Sequence, residues 1–490
     1  MNNWPAQPSI YEINTAVWLN DLGIRTLAQV PDAELERFSG LHFDGLWLMG
    51  VWRRSPASRA IARTDRALLD GYRAALPDYY PEDVIGSPYS VAEYAVDPTF
   101  GGDEALRDLR VRMSGFGLRL VLDFVPNHVA RDHAWVTRHP EYLVQGTAAD
   151  LLSQPQTWFA SGEHIFAHGR DPYFPAWTDT VQIDYRRPQA RRAVTDLLLS
   201  LANRCDGLRC DMAMLVTPAV FCRTWGGQFE PAGADFWPDA IRTLKLTHPD
   251  LLLGAEVYWD LEYELQQQGF DYTYDKRLYD RLTGNDPAEV RSHLSAGVDY
   301  QRRLARFIEN HDEPRAATVF GVDRSKAAAT IALTLPGMHL VHEGQMEGFH
   351  TRLPVQLARR RPEAANPELV SFYNQLMNAL SLPPFHEGDW RLLECKDAWA
   401  GNDSHSNFVA HRWMNGDEMI LVAANLLPQQ SQCYVPLGLQ ALAGRSWELR
   451  DLLSGARYHR HGDDLLHPGL YLDVPGYGHH IFRLLTRAAQ

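Results

Sequence analysis

The sequence predicts an α/β protein built on a (β/α)₈ barrel, with an inserted domain after the third strand and an antiparallel β domain at the carboxyl end. Short apolar runs with strand character alternate with helical stretches, which is typical of parallel sheets. Four of these runs close on a carboxylate, namely Asp123, Asp211, Glu256 and Asp312. The intervals between them fit a barrel in which one repeat takes roughly 30 residues.

The first three barrel strands are expected in the first quarter of the chain. Ser9–Trp18 and Phe43–Met49 are predicted as strands one and two, with a helical stretch at Thr26–Phe38 between them. Leu118–Val125 is predicted as strand three, because it is a strongly apolar run that follows a helical pattern at Glu104–Gly115.

The interval from Asp123 to Asp211 is far longer than one barrel repeat, so an insertion is expected there. Residues 129–180 are rich in His, Trp, Tyr, Pro and Gly and have little helical periodicity, as expected of a substrate-binding excursion. Glu256 then follows after one generous repeat and Asp312 after about two more. The four carboxylates are therefore predicted to end strands three, four, five and seven.

The last part of the chain has a different pattern. Strand eight is expected near His339–His342, and from about Arg391 short β-type runs are separated by turns. The dipeptide Asn415-Gly416 is a strong hairpin signal. The predicted domains are the barrel at residues 1–128 and 181–390, the inserted domain B at 129–180, and a C-terminal β-sandwich at 391–490.

Composition and charge exclude several classes of function. The chain is 45% hydrophobic and 22% charged, as in ordinary globular enzymes. Its formal net charge of −14 disfavours a nucleic-acid or anionic-membrane partner.

There is no secretory signal and no run of roughly 18 apolar residues, so a cytoplasmic protein is expected. The five scattered Cys residues predict neither a disulfide framework nor a zinc site. Nothing in the sequence indicates an oligomeric state.

The carboxylates point to glycosidic-bond chemistry, because a barrel gathers the carboxyl ends of its strands around one mouth. Arg209 and Asp211 share one face of strand four. The arginine is expected to lower the pKa of Asp211, which suits a nucleophile; a purely structural ion pair is the alternative. Glu256 follows an apolar run, and burial there would raise its pKa as a general acid requires; a Glu emerging into solvent is the alternative.

Four segments resemble the conserved regions of the α-amylase superfamily, glycoside hydrolase family 13, in the order of that family. They are DFVPNH, GLRCD, GAEVYW and ENHDEPR. Gly86–Gly102 resembles the family's segment after strand two, and Pro336–Gly348 resembles its strand-eight loop. The likeness extends from about Ile10 to Gly348.

The resemblance implies a retaining enzyme that cleaves α-1,4-linked glucans or maltooligosaccharides without a required cofactor. It implies that Asp211 is the nucleophile, Glu256 the general acid and base, and Asp312 the stabiliser of the transition state. The substrate-binding residues that it implies are Tyr89, Asp123, His128, Arg209 and His311.

The sequence also departs from the family's pattern. Met214 and Leu215 stand where many α-amylases carry a Lys-His pair, which weakens both a typical starch endo-amylase and bound calcium. Asn127 matches a calcium ligand of some members, but it is equally explained as a turn residue.

Three alternatives remain. One is a 4-α-glucanotransferase or other transglycosylase on the same machinery, and another is an enzyme for a small α-glucoside. The third is a catalytically dead amylase-like partner protein, which the retained carboxylates disfavour.

Overall fold

A closed barrel of eight parallel strands forms the centre of the computed structural model, which describes residues 4–486. Parallel pairing of the first strand with both the second and the eighth closes the barrel. The predicted fold is confirmed. The strands are β1 (Ser9–Asn14), β2 (Gly45–Met49), β3 (Arg119–Phe124), β4 (Gly207–Cys210), β5 (Leu252–Ala255), β6 (Tyr272–Tyr274), β7 (Leu304–Arg306) and β8 (Met338–His342).

Two apolar layers stabilise the barrel. Alternate strand residues such as Ile10, Val121 and Met338 fill its interior, and the opposite faces of the strands pack against the surrounding helices. The main helices are Thr15–Asp21, Asp32–Gly40, Gly102–Gly115, Pro188–Ala202, Pro218–Trp225, Phe236–Thr247, Glu262–Gln268, Lys276–Gly284, Pro287–Leu294, Gly321–Ala332 and Pro367–Leu380.

The predicted end of the first strand is wrong. β1 ends at Asn14, and the rest of the predicted Ser9–Trp18 run forms the helix Thr15–Asp21. Both parts of that run are buried, and a continuous apolar run does not by itself distinguish a strand from a buried helix. β7 is short and ends at Arg306, six residues before Asp312.

Two excursions leave the carboxyl side of the barrel. The first follows β2, where the strands Trp52–Arg54 and Val91–Val96 pair across a segment that contains the helices Pro56–Ala62 and Arg66–Ala75. The second follows β3, where the strand His128–Ala130 pairs with Thr180–Gln182. An inner hairpin of the second excursion joins Trp158–Ser161 to His164–Ala167.

The C-terminal part is antiparallel β structure, as predicted. One sheet has six strands, and a smaller sheet has three. In spatial order, the six are Asp389–Leu393, Phe408–Asn415, Glu418–Asn425, His479–Thr486, Ser446–Asp451 and Arg457–His461; the three are Lys396–Asp397, Ser431–Val435 and Leu470–Val474. Apolar residues from both sheets share one buried core.

The predicted hairpin is present in the larger sheet. Asn415 pairs with Glu418, which leaves a two-residue turn. Gly416 occupies the first central position with φ +57°, a left-handed conformation that favours glycine. No helix within residues 4–486 combines the length and apolar character needed to cross a bilayer.

Candidate active site

A pocket of about 510 Å³ opens at the carboxyl ends of the barrel strands. Asp211 follows the last residue of β4, Glu256 follows the last residue of β5, and Asp312 lies in the loop after β7. All three line the pocket. Residues distant in sequence therefore meet here because parallel strands end at the same edge of the barrel.

Arg209 is the buried centre of this arrangement. Its Nη1 donates to Asp211 Oδ1 (2.8 Å) and its Nη2 donates to Glu256 Oε2 (2.6 Å). The guanidinium also lies 5.2 Å from the ring centroids of Trp47 and Tyr89. Two carboxylates are thus held by adjacent nitrogens of one rigid, planar cation.

Hydrogen bonds fix both oxygens of Glu256. Oε2 accepts from the backbone N–H of Met212 (2.7 Å) as well as from Arg209. Oε1 accepts from the hydroxyl of Tyr258 (2.7 Å). The carboxyl group is therefore held in one orientation at the pocket wall.

The expected low pKa of Asp211 is wrong, because effects other than the arginine dominate. Burial, with the negative charges of Glu256 and Asp123, raises the pKa of Asp211 to about 8, and Arg209 opposes this rise. The guanidinium charge is divided among several carboxylates, so it does not offset the loss of hydration.

A second cluster places a cation beneath Asp312. His311 Nε2 lies 3.0 Å from Asp312 Oδ2, and His311 Nδ1 contacts Glu12 of β1. Although burial opposes it, the two carboxylates raise the pKa of His311 well above its usual value. Burial alone would raise the pKa of Asp312, but the positive charge of His311 outweighs burial and lowers it. Asp312 therefore presents a carboxylate to the pocket at neutral pH.

Tyr89 and His128 form the adjoining wall. The ring of Tyr89 stacks on His311 with centroids 5.4 Å apart, and its hydroxyl lies 2.7 Å from His311 Nε2. His128 packs against Trp177 and donates to the backbone carbonyl of Tyr89 (3.2 Å). Burial lowers the pKa of His128 to about 4, so this ring is neutral at physiological pH.

The predicted site residues fall into two groups. Tyr89, His128 and the three carboxylates line the pocket directly. Asp123, Arg209 and His311 are buried behind that wall. Asp123 Oδ1 lies 3.4 Å from Arg209 Nη1, and burial raises the pKa of Asp123 to about 6. Their functional roles stay predictions.

Several residues in or behind the pocket wall were not predicted. The buried Glu12 carried a signal, because it is an ionisable residue inside an apolar strand, and so did Tyr258, which lies inside the Glu256 motif. The other wall residues contributed by the two excursions had no local signal, because only tertiary structure brings them to the pocket. They include Ser58, Ile61, Ala62, Asp65, Leu68, Trp177 and Asp179.

Asn127, which was considered as a calcium ligand, makes a hydrogen bond inside the protein. The Oδ1 of Asn127 already accepts from Gln182 Nε2 (3.0 Å), which ties the two strands of the second excursion together. Within residues 4–486, no group of three or more His, Cys, Asp or Glu side chains is arranged to hold a metal ion. Met214 and Leu215 are buried in the turn after β4 and do not line the pocket.

Comparison with known proteins agrees with this architecture. Residues 34–368 match the model of the alpha amylase catalytic domain. The chain belongs to the alpha-amylase family. The assignment from the four motifs is therefore confirmed, and the chain is an enzyme of glycoside hydrolase family 13.

Two curated relatives illustrate the range of this family. The chain is 28% identical to alpha-amylase MalA of Haloarcula japonica over 401 residues, which cover 80% of this chain and 51% of the relative. It is 22% identical to a cyclomaltodextrinase of Geobacillus thermopakistaniensis, over 80% of this chain and 63% of the relative. The chain thus spans between about half and just under two thirds of the length of these relatives.

The fold is also similar to solved structures. A noncanonic maltogenic alpha-amylase, AmyB from Thermotoga neapolitana, superposes with a TM-score of 0.70 at 19% identity. The superposition covers 99% of this chain and 100% of that one. At this identity the likeness establishes the shared fold.

Proposed function

We propose that this alpha-amylase family enzyme hydrolyses α-1,4 bonds in glucans or maltooligosaccharides with retention of anomeric configuration. One observation carries the proposal: Asp211 and Glu256 are held by the same guanidinium on the wall of a pocket that Asp312 also lines. A retaining glycosidase needs two carboxyl groups about 5–5.5 Å apart, one ionised and one protonated. The names of the relatives, which include alpha-amylase and cyclomaltodextrinase, support this substrate class.

In the first step, Asp211 attacks the anomeric carbon while the glycosidic bond breaks. The departing oxygen takes the proton from Glu256, and the sugar remains attached to Asp211 as a covalent ester. In the second step, Glu256 removes a proton from water as that water attacks the same carbon. Asp211 then leaves as a carboxylate, so both groups return to their starting states.

The remaining site residues act on the sugar. Positive charge develops on the ring in the transition state, and the carboxylate of Asp312, ionised because of His311, stabilises that charge. The face of Tyr89 offers a stacking surface for the same ring. His128, together with the buried Asp123 and His311, completes the polar end of this subsite.

A second candidate is transglycosylation on the same machinery. The first excursion contributes an apolar wall to the pocket, made by Ile61, Ala62 and Leu68. Such a wall reduces the water available to the covalent intermediate and favours attack by a sugar hydroxyl. The two functions differ only in this second step.

Product analysis with maltoheptaose tests both candidates. Wild type is compared with Asp211→Asn, which removes the nucleophile, and with Asp239→Asn, an exposed carboxylate on a barrel helix. Shorter sugars alone, lost only in Asp211→Asn, support a hydrolase, and proton NMR should show the α-anomer forming first. Sugars longer than maltoheptaose identify a transglycosylase. Unchanged maltoheptaose with wild type would rule out both activities on α-1,4 chains.

A further inference from the structure

A second cavity, of about 620 Å³, lies between the helix Thr15–Asp21 and the first excursion. It shares no lining residue with the catalytic pocket. Four arginines line it, namely Arg25, Arg53, Arg54 and Arg59. This is an unusual concentration of positive charge for a chain whose formal net charge is −14.

Three of these four cations have no counter-ion in the structure. Arg53 pairs with Glu93 (2.6 Å), but within residues 4–486 no carboxylate oxygen lies within ion-pair distance of the other three. Nearby arginines behave differently: Arg359 pairs with Asp83, and Arg360 pairs with Asp21. Ion pairs are thus formed next to the cavity, although none among the described residues includes Arg25, Arg54 or Arg59.

Arg54 is the most constrained of the set. Only 7% of this residue is exposed, and its Nη1 donates to the carbonyls of Gly86 (2.7 Å) and Val355 (3.2 Å). Its Nε and Nη2 have no acceptor among the described residues. Burial lowers the pKa of Arg54 to about 10. A buried cation without a counter-ion is destabilising, so an anion in this cavity gains a favourable interaction.

The one carboxylate in the lining, Asp97, opposes the effect of burial on the pKa of Arg54, but among the described residues no hydrogen bond or ion pair joins the two. Asp97 Oδ1 accepts from the backbone N–H (2.9 Å) and the hydroxyl (2.7 Å) of Thr99, so it caps the short helical turn that follows it. The rest of the cavity wall is largely apolar and includes Leu19, Ile24 and Ile85.

We propose that this cavity binds a small phosphorylated organic molecule. Guanidinium groups match the oxygens of a phosphate with paired, charge-assisted hydrogen bonds. The apolar wall suits the carbon skeleton that carries the phosphate. Because Arg54 holds the backbone at Gly86, three residues before Tyr89, the cavity is joined to the wall of the catalytic pocket through one short loop.

Isothermal titration calorimetry on the full chain tests the proposal, with glucose 6-phosphate, inorganic phosphate and glucose as probes. The test variant is the double substitution Arg25→Gln/Arg59→Gln, at two positions that are at least partly exposed. The control is Arg73→Gln, an exposed arginine paired with Asp70 outside the cavity. Circular dichroism establishes that each variant is folded.

Glucose 6-phosphate should bind wild type and Arg73→Gln equally, and the double variant at least about tenfold more weakly. Inorganic phosphate should bind more weakly than glucose 6-phosphate, and saturating maltose should not displace either. Equal affinity in wild type and the double variant would overturn the proposal. So would displacement by maltose, or equal affinity for inorganic phosphate, which would leave an adventitious ion only.

Discussion

Replacing Arg209 by Lys isolates the contribution of the shared guanidinium. Arginine contacts Asp211 and Glu256 through separate nitrogens, at 2.8 and 2.6 Å, whereas a lysine ammonium reaches one of them at a time. A hydrogen bond to a charged group contributes about 1.5–3 kcal/mol. Loss of one such bond in the transition state predicts a fall in kcat/KM of about 10- to 150-fold. The assay is release of reducing ends from maltooligosaccharides, with stability followed by urea denaturation.

Arg306→Lys is the matched control. Arg306 is also a fully buried arginine of a barrel strand. It pairs with Asp275, which directly follows β6, and it does not line the pocket. Both variants should lose a similar free energy of unfolding, but only Arg209→Lys should lose activity. If Arg209→Lys keeps kcat/KM within about threefold of wild type, the guanidinium does not organise the catalytic pair.

Four further perturbations follow from the site and the fold. Glu256→Gln should slow maltooligosaccharide cleavage by about 10²–10⁴-fold but spare α-glucosyl fluoride, because fluoride leaves without a proton. Tyr258→Phe removes the donor to Glu256 Oε1 and should lower kcat about tenfold in steady-state assays. Glu12→Gln should lower the raised pKa of His311. The stability that His311 gains from its charge is fully present below its unfolded pKa of about 6.5 and is lost as pH rises through the folded pKa. The difference in Tm between wild type and Glu12→Gln should therefore be largest below about pH 6.5 and shrink as the pH rises through the folded pKa of His311. Gly416→Ala should cost about 1–2 kcal/mol in urea denaturation, because its φ is +57°, and leave activity unchanged.

A kcat of Tyr258→Phe equal to that of wild type would show that the tyrosine hydroxyl does not orient Glu256. Equal losses on fluoride and on maltooligosaccharide would argue against Glu256 as the acid. A Tm difference that does not vary with pH would mean that Glu12 acts on His311 only through packing. Wild-type stability in Gly416→Ala would show that the hairpin turn relaxes without strain.

The sequence predicted the barrel and most of its strands for a clear physical reason. β4 and β5 are buried runs that are each followed directly by a carboxylate, and β3 carries Asp123 one residue before its end, so burial and chemistry mark the same boundary. β7 was harder to place, because it has only three residues and one of them, Arg306, is a buried charge. The extent of β1 was misjudged, because strand and helix are both buried there.

The site was predictable to the extent that its residues stand in motifs at strand ends. Apart from Tyr89, the first excursion was not predicted as a pocket wall, because Ser58 and Asp65 are ordinary helix-start residues when viewed locally. The pKa of Asp211 was predicted in the wrong direction. The sequence shows one arginine two positions away, but it does not show that Glu256 and Asp123 compete for the same cation.

The closure of the barrel determines when the catalytic cluster forms during folding. Glu12 on β1 pairs in register with His342 on β8, and it contacts His311 only when the first strand of the barrel has met the last part of the barrel. The cluster is thus a late, non-local product of folding, whereas the helices form from local contacts. After dilution from denaturant, the helical circular dichroism signal should return before cleavage of substrate does, and the lag between them measures the time that the barrel takes to close.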